Sequence, residues 1–176
     1  MPFKRAQKTY DEAALYEYAI GALGRRMRTV AEIKRLMRNR VDKQENGAAL
    51  IEAVVKRLKA QRYLNDSDYA ESYTRLRKEN DKLGRMRVIQ DLKIKGVHAD
   101  IIDSAVDAAY GEVNEEELAR QFLRRRRIAK PEGQKQAARV FRALMRAGFT
   151  SRIIFRILKK WDVDEETISA MEDSSQ

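Results

Sequence analysis

The stretch Leu92–Ile102 reads LKIKGVHADII, and the stretch Leu144–Ile154, 52 positions later, reads LMRAGFTSRII. In both, an apolar residue and a linker with a basic residue lead to a glycine, and a short polar segment and an apolar pair follow. A glycine after an apolar-periodic segment is typical of a helix end, because glycine adopts the left-handed conformation there without strain. The repeat therefore predicts that the chain ends one helix and begins the next in the same way twice.

Hydrophobic periodicity extends this interpretation to the whole chain. Apolar residues recur every three or four positions, as in Ile51, Val54 and Leu58, which is the one-sided pattern of an amphipathic helix. Alternating strand patterns are hard to find, so the sequence favours an all-α protein. Extending the alignment back along the chain places two sets of apolar residues in register, namely Ile33, Ile89 and Phe141, and Leu36, Leu92 and Leu144.

This register predicts an elongated, curved array of three tandem three-helix repeats, since a period of about 50 residues with helical content is typical of tandem arrays. The predicted divisions are an N-terminal extension at 1–12, repeats at 13–62, 63–113 and 114–161, and an acidic C-terminal tail at 162–176. Such an array exposes long faces and does not naturally form one deep pocket.

Helix starts agree with this division. Thr29 and Glu32 have the spacing of a capping box, in which a hydroxyl and a carboxylate bond free backbone N–H groups. Asn114 has a related pattern, with three glutamates after it that favour the positive end of a helix dipole. Asp66 and Thr150 are expected to cap the helices that follow them.

The composition limits the class of protein. Of 176 residues, 36% are charged and 43% hydrophobic, and the formal net charge of +10 points toward nucleic acid, an acidic protein surface or anionic lipid. The chain has no cysteine, which excludes disulfides and thiolate metal sites. No apolar run approaches the ~18 residues of a membrane span, and the N-terminus lacks the apolar core of a signal peptide. We therefore expect a cytoplasmic protein with no membrane partner.

The charge is distributed unevenly along the chain. The net charge is +8 over residues 1–62, −5 over 63–117, +13 over 118–160 and −6 over 161–176. Two basic ends therefore flank an acidic middle, and a short acidic tail follows.

Three segments of the chain, at 19–40, 62–78 and 84–97, together resemble the RecX family of bacterial regulatory proteins. RYLNDSDYAESYTRLRK, from Arg62 to Lys78, resembles the family's Gly-Tyr-Leu-Asp-Asp segment, with Arg62 in place of the usual glycine and Asn65 in place of the first aspartate. GRMRVIQDLKIKGV, at 84–97, resembles the family's next helix, and AIGALGRRMRTVAEIKRLMRNR, at 19–40, resembles its first-repeat signature. The resemblance covers the first two repeats, and the third matches mainly by pattern.

The resemblance implies a non-enzymatic regulator. RecX proteins are arrays of three-helix repeats that bind the RecA recombinase and its nucleoprotein filament, lie in the filament groove, and curb filament growth, ATP hydrolysis, strand exchange and co-protease activity. We accordingly expect a RecA filament and single- or double-stranded DNA as partners, no cofactor or metal, and a monomer. The charge map suggests that the acidic middle contacts the recombinase and the basic ends contact DNA.

Ten arginines are candidate contacts with DNA or the filament: Arg25, Arg26, Arg28, Arg35, Arg38, Arg85, Arg87, Arg124, Arg125 and Arg127. The three that precede Thr29 could hold phosphates beside the free N–H groups of a helix start. The alternative interpretation is a solvated helix face for the run at 124–127 and a solvent-exposed turn for the three arginines before Thr29. Arg126, four residues after Phe122, falls on the apolar side, where its stem could pack.

Other interpretations stay open. His98, the only histidine, is more simply a cap or surface residue than a ligand. Tyr63, Tyr69, Tyr73 and Phe122 are more simply core than base-stacking residues. A sequence-tolerant nucleic-acid-binding module that acts without recombinase would share the same charge pattern. No phosphate loop, nucleophile elbow or metal-binding histidine pair nominates an enzyme.

Overall fold

The structure is a computed structural model, and it describes residues 9–41, 44–163 and 168. Within these ranges the chain is helical with short connections and contains no strand, which confirms the predicted all-α class. The helices of this part of the chain are α1 (Glu12–Leu23), α2 (Val30–Val41), α3 (Gly47–Ala60), α4 (Asp66–Glu79), α5 (Arg85–Ile94), α6 (Ala99–Tyr110), α7 (Glu115–Arg125), α8 (Gln134–Arg146) and α9 (Ser151–Lys160). None of them is both long and apolar enough to cross a membrane.

The chain forms two compact units. The first comprises Met1–Tyr69 with Lys95–His98, and the second comprises Ala70–Ile94 with Ala99–Gln176. The division into three repeats follows the sequence period rather than these units, and its boundaries stay a prediction.

The core of the first unit lies between α1, α2 and α3, which pack on one another. Leu15, Ile33, Met37, Val54 and Leu58 are fully buried there. Burying a side chain of this size stabilises the fold by about 1.5–3 kcal/mol relative to leaving it exposed. These residues come from the apolar stripes of the sequence, so the stripes face the core as expected.

In the second unit α5 packs on α6, and α9 packs on α7 and α8. Leu92, Leu144 and Ile157 are fully buried in this unit. Phe122 and Phe149 meet edge to face with ring centroids 6.1 Å apart, an arrangement that aromatic pairs favour. The second core thus combines aliphatic side chains with an aromatic contact between α7 and the segment before α9.

Burial corrects the register of the first predicted repeat by one residue. The buried pairs four residues apart are Ile33 and Met37 in α2, Val88 and Leu92 in α5, and Val140 and Leu144 in α8. Leu36 and Ile89, which the alignment placed at core positions, are only partly buried. Adjacent apolar residues in both helices made the two registers indistinguishable by periodicity, whereas the match between Leu92 and Leu144 is confirmed.

Two of the predicted caps form as expected. Thr29 Oγ1 accepts from the Glu32 N–H and Glu32 Oε2 accepts from the Thr29 N–H, both at 3.1 Å, which completes the capping box. Asn114 Oδ1 accepts from the Glu117 N–H at 3.1 Å. Thr150 occupies the N-cap position of α9, but its side chain makes no capping hydrogen bond.

The prediction that Asp66 caps α4 is wrong. Asn65 Oδ1 accepts from the Ser67 N–H at 2.9 Å, so Asn65 is the capping residue. Asp66 Oδ1 accepts instead from the N–H of Val30, the first residue of α2, at 2.9 Å. Because α4 already begins at Asp66, its carboxylate is available to bond the start of another helix.

The first of the two repeated stretches packs against the start of α2, at what we call the first junction, residues 29–31 against residues 95–96. Thr29 Oγ1 donates to the Lys95 carbonyl at 2.7 Å. Gly96 has φ +75°, and a Cβ at this position would lie 2.5 Å from the Cβ of Ala31. Glycine is therefore required both by its backbone conformation and by the close approach.

The second repeated stretch makes a matching contact with the start of α5, at what we call the second junction, residues 84–87 against residues 147–148. The Gly84 N–H donates to the Ala147 carbonyl at 2.8 Å, and the Met86 N–H donates to the Gly148 carbonyl at 3.2 Å. Gly148 has φ +91°, and a Cβ there would collide with the backbone nitrogen of Arg87. The repeated glycine thus serves one purpose twice, since it lets the turn at the glycine pack closely against the first turn of a helix in the same unit.

Candidate anion-binding cleft

The second junction brings arginines from different helices to one cleft. Arg87 lies in the first turn of α5 and Arg146 is the last residue of α8, and the backbone bonds of the junction hold these helix ends together. Arg77 of α4 and Arg126, which follows α7, line the same cleft, whose volume is about 570 Å³. Four guanidinium groups from four segments therefore share one concave surface.

Two of these arginines are held in place by carboxylates. Arg87 Nε lies 3.0 Å from Asp91 Oδ1, and the Tyr73 hydroxyl donates to Asp91 Oδ2 at 3.0 Å. Arg77 donates to Asp81 at 2.7 Å and lies over the Tyr73 ring, 4.9 Å from its centroid. Partial burial raises the pKa of the Tyr73 phenol, so the hydroxyl keeps its proton and continues to donate. The network fixes two guanidinium groups before any ligand arrives, which lowers the entropy cost of binding.

The other two arginines, Arg126 and Arg146, have no ion pair within the described ranges. The Arg126 guanidinium lies over the Phe122 ring, 5.7 Å from its centroid, so its stem packs on the apolar side as the spacing suggested. Four guanidinium groups face two carboxylates in this cleft, which leaves an excess of positive charge. Because guanidinium forks match phosphate oxygens in geometry, the cleft is suited to phosphate groups.

Among the ten predicted arginines, the cleft contains Arg87. Arg85, two residues earlier, bonds Asp107 instead. Arg124 pairs with Glu117 at 2.6 Å. The run of arginines at the end of α7 is therefore split, since its third member enters the cleft and its first forms an ion pair on the helix surface.

The last two residues predicted in this run, Arg125 and Arg127, are exposed. Arg127 has φ +54° and its N–H bonds the Arg124 carbonyl at 3.1 Å, so it forms the turn that ends α7. Contacts of these arginines with DNA stay a prediction.

In the first unit the predicted arginines do not form one cluster. Arg28 is partly buried and its Nε donates to the Ala22 carbonyl at 3.2 Å, which satisfies a carbonyl at the end of α1. Arg25 is exposed in the turn before α2, and Arg35 and Arg38 lie on the exposed side of α2. Their contacts with a filament or DNA also stay a prediction.

The start of α2 does not offer the free N–H groups that the sequence suggested for phosphate binding. The N–H groups of Thr29, Val30 and Glu32 already bond side-chain oxygens of this unit at 2.9–3.1 Å. The Glu32 carboxylate is in addition 3.6 Å from Lys95 Nζ and 3.7 Å from the Arg26 guanidinium. Carboxylates therefore already occupy much of this helix start, and phosphate binding by the arginines before it stays a prediction.

Sequence reasoning missed three of the four arginines of the cleft. The spacing of Arg126 from Phe122 predicts only a packing role, but a guanidinium that packs on Phe122 also lines the cleft. Arg146 lies two residues before the glycine of the second repeated stretch, and this position beside a helix junction was an available signal. Arg77 carried no signal, because it sits on a helix face among other charged residues.

Of the four aromatic residues considered as base-stacking candidates, three are buried or partly buried and one is exposed. Tyr69 and Phe122 are buried, and Tyr73 is partly buried, as predicted. Tyr63 is 57% exposed, so the expectation that it belongs to the core is wrong. His98 is an exposed residue directly before α6, as expected of a cap or surface residue.

Comparison with known proteins connects this architecture with one family. The family model for the second three-helix domain of RecX matches residues 65–106. The protein named regulatory protein RecX from Bacillus pumilus is 29% identical over 153 residues, covering 86% of this chain and 57% of the relative. The protein of the same name from Deinococcus radiodurans is 31% identical over 163 residues, covering 90% of this chain and 74% of the relative. A crystal structure of regulatory protein RecX superposes with a TM-score of 0.66 at 26% identity, covering 85% of this chain and 71% of that one.

These features define an all-α protein whose short helices are joined by repeated junctions and which presents an arginine-rich cleft. The chain belongs to the RecX family of regulatory proteins. It spans 57% of the length of the B. pumilus relative.

Proposed function

We propose that this chain regulates the RecA recombinase by binding RecA and its DNA filament. It lies in the filament groove and inhibits filament growth, ATP hydrolysis, strand exchange and co-protease activity. Membership of the RecX family supports the choice of partner. The observation that carries the proposal is the cleft of four arginines, because a groove that holds DNA presents phosphates to any protein lying in it.

The distribution of charge supports different binding partners for different segments of the chain. The acidic segment 63–117, with a net charge of −5, contacts the recombinase, and the basic segments, at +8 and +13, contact DNA or acidic filament surfaces. The cleft refines this division, because two of its arginines, Arg77 and Arg87, belong to the acidic segment. We further propose that the protein acts as a cytoplasmic monomer, which size-exclusion chromatography with light scattering would test.

The decisive experiment is ATP hydrolysis by RecA on single-stranded DNA, titrated with this protein. Wild type is expected to inhibit below a one-to-one ratio to RecA. The double variant Arg126→Glu/Arg146→Glu is expected to need at least about tenfold more protein for half-inhibition, because two phosphate contacts become repulsive. Arg125→Glu is the comparison variant, since Arg125 is exposed beside Arg126 but does not line the cleft, and it is expected to raise the half-inhibiting concentration less than the double variant does.

If the double variant inhibited RecA as well as wild type does, the cleft would not contribute to inhibition. Absence of inhibition by wild type would overturn the proposal as a whole.

A second candidate is a sequence-tolerant nucleic-acid-binding module that acts without recombinase, and the same cleft favours it. Both candidates predict DNA binding that falls steeply with salt, because each neutralised phosphate releases a counterion. They differ in the RecA assay. Inhibition that disappears when the DNA is in large excess would favour this second candidate, since a simple DNA competitor is then titrated away.

A further inference from the structure

The first unit contains a pocket that the function proposed above does not use. Its volume is about 310 Å³, at the small end of the range for ligand pockets. The apolar part of its lining comes from the end of α1, the turn before α2 and the start of α4: Ile20, Leu23, Met27, Tyr63 and Tyr69.

Two of the lining side chains are exposed although they are large and apolar. Met27 is 56% exposed and Tyr63 is 57% exposed, whereas Tyr69, in the same pocket, is 7% exposed. A deep aromatic floor with a flexible methionine and a tyrosine beside it resembles the anchor pockets of protein interfaces, where Tyr and Met are enriched. Large apolar side chains that remain in water next to such a floor indicate a surface that a partner covers.

The backbone holds Tyr63 in place. The Arg62 N–H bonds the Lys59 carbonyl at 3.0 Å and the Tyr63 N–H bonds the Leu58 carbonyl at 2.9 Å, which is the hydrogen-bond pattern of a Schellman motif. Arg62 has φ +60°, a left-handed conformation that favours glycine. The turn thus directs a fixed tyrosine and a neighbouring arginine to the pocket rim.

The charges at the rim indicate what kind of partner fits. Arg28 and Arg62 line the pocket with one carboxylate, that of Asp68. Arg25 and Arg26, two and one residues before Met27, add cations to the same turn. An acidic segment is therefore attracted to this rim, and a basic one is repelled.

We propose that this pocket binds an apolar side chain carried on an acidic segment of a partner protein. The apolar side chain enters between Met27 and Tyr63 and rests on Tyr69. Carboxylates on either side of it pair with the rim arginines. With the recombinase filament as the partner, this inference rests on the proposed function and adds to it a protein-recognition site separate from the phosphate-binding cleft.

The test measures the affinity of the full chain for a RecA filament on single-stranded DNA, with DNA alone as the second ligand. Tyr63→Ala is expected to weaken filament binding about tenfold, as truncation of an interface anchor does, and to leave binding to DNA alone unchanged. Arg62→Gly removes a rim cation and keeps the turn, since glycine adopts φ +60° without strain, and is expected to weaken filament binding about threefold. Met86→Ala is the matched control, because Met86 is 46% exposed and belongs to the second unit.

Filament binding of Tyr63→Ala within twofold of wild type would overturn the inference, as would an equal loss with Met86→Ala. Circular-dichroism melting of each variant verifies that the fold is kept.

A peptide measurement tests the pocket without the recombinase. Two fluorescein-labelled peptides carry a central phenylalanine flanked on both sides by glutamates or, in the second peptide, by lysines. Wild type is expected to bind the acidic peptide and not the basic one, and Tyr63→Ala is expected to bind neither. Equal binding of the two peptides, or binding that Tyr63→Ala retains, would overturn the inference even if wild type inhibits RecA. If wild type does not inhibit RecA but discriminates between the peptides, the proposed function fails and the pocket stands.

Discussion

Helices α2 and α5 begin at equivalent contacts and carry opposite charges at their third position. At the first junction the residue before the helix is Thr29, whose hydroxyl donates to the Lys95 carbonyl. At the second junction it is Gly84, whose backbone N–H donates to the Ala147 carbonyl. The third residue of the helix is Glu32 in the first case and Arg87 in the second.

The difference shows how one packing contact can produce a closed helix start and a binding cleft. At the first junction Glu32 closes the capping box, is only 7% exposed and pairs with nearby cations, so the junction is neutralised within the unit. At the second junction the glycine lets the two backbones bond directly, and the third residue is not needed as a cap. Arg87 is therefore free to line the cleft. The residue that makes the contact thus decides whether the side chain three residues later is available for a ligand.

The largest effect is expected from alanine at the junction glycines. Gly148→Ala should lower the free energy of unfolding by about 3 kcal/mol or more, because the new methyl group meets the backbone of Arg87 and φ is +91°. Gly96→Ala should cost about 2 kcal/mol, because a Cβ there meets a single atom, the Ala31 Cβ, whereas a Cβ at position 148 meets three atoms of Arg87. Urea unfolding measures both.

A double-mutant cycle tests whether the cost of Gly96→Ala comes from the contact with Ala31. Ala31→Gly removes the clash at the first junction, so Gly96→Ala should cost about 1 kcal/mol less in the Ala31→Gly background than in wild type. No side-chain deletion can do the same for Gly148, whose obstacle is backbone. Gly21→Ala is the control, because nothing lies within 4 Å of a Cβ at that helical position, and it should stabilise the protein by about 0.5–1 kcal/mol. An equal cost at 96 and 148 would contradict the distinction between the junctions.

The second prediction concerns the threonine that only the first junction has. Thr29→Val keeps the shape of this fully buried residue and removes a cap and the donor to Lys95, so it should cost about 2 kcal/mol. Thr29→Ser keeps both hydrogen bonds and should cost about half as much or less. If chemical denaturation gave the two variants the same stability, the hydroxyl would have no part in the junction.

The third prediction tests the charge difference at the third helical position. Arg87→Gln should weaken binding to single-stranded DNA by about threefold to tenfold, and reduce the slope of log affinity against log salt by about 1, because one phosphate contact is lost. Its effect on stability should be below about 1 kcal/mol, since the ion pair with Asp91 involves a side chain that is 47% exposed. Fluorescence anisotropy over a range of salt concentrations provides both the affinity and the slope.

Arg85→Gln is the comparison variant for this prediction, and a smaller loss of DNA affinity is expected from it. Arg85 lies on the same helix and pairs with Asp107 outside the cleft. An equal loss of affinity and slope in Arg85→Gln would show that position in the cleft does not matter.

The comparison also shows how far sequence alone reaches. Local signals predicted the helices, the capping box at Thr29 and the two glycines, because caps and left-handed turns depend on residues close in the chain. Asp66 was misassigned because its partner, the N–H of Val30, is 36 positions away. The prediction that Leu36 is the core residue of α2 was wrong because Leu36 and Met37 are adjacent and both apolar, so periodicity alone does not show which of them is buried.

The site was harder to predict than the fold for the same physical reason. The cleft exists because α5 and α8 touch through glycine backbones, and periodicity carries no information on which helix ends meet. The arginine run at the end of α7 is the most conspicuous basic cluster in the sequence, but only Arg126 of this run lines the cleft. Arg146 can be assigned to the cleft only once the contact between Gly148 and Arg87 is known.

The smallest effect on stability is expected at Glu116, a carboxylate of the second unit that, like Glu32, is surrounded by cations. Glu116 of α7 accepts from Lys160 at 2.6 Å and from Arg120 at 3.1 Å, and Arg156 lies 3.8 Å away. The hydrogen bond from Lys160, followed by that from Arg120, lowers the pKa of Glu116. Because the pKa is lower in the folded protein, the stabilisation is present above the unfolded value of about 4.5 and is lost as the pH falls through the folded value.

Glu116→Gln should therefore lower the free energy of unfolding at pH 7 by about 1 kcal/mol or less, since two of the cations around it, Arg156 and Lys160, are exposed. The difference from wild type should shrink as the pH falls below about 4.5, when the wild-type carboxylate also loses its charge. Glu117→Gln removes a single, more exposed pair with Arg124 and should have a smaller effect. Urea unfolding of the three proteins across this pH range decides the point. A difference between Glu116→Gln and wild type that stayed constant down to the lowest pH would mean that packing between α7 and α9, and not the charge on Glu116, is what the substitution disturbs.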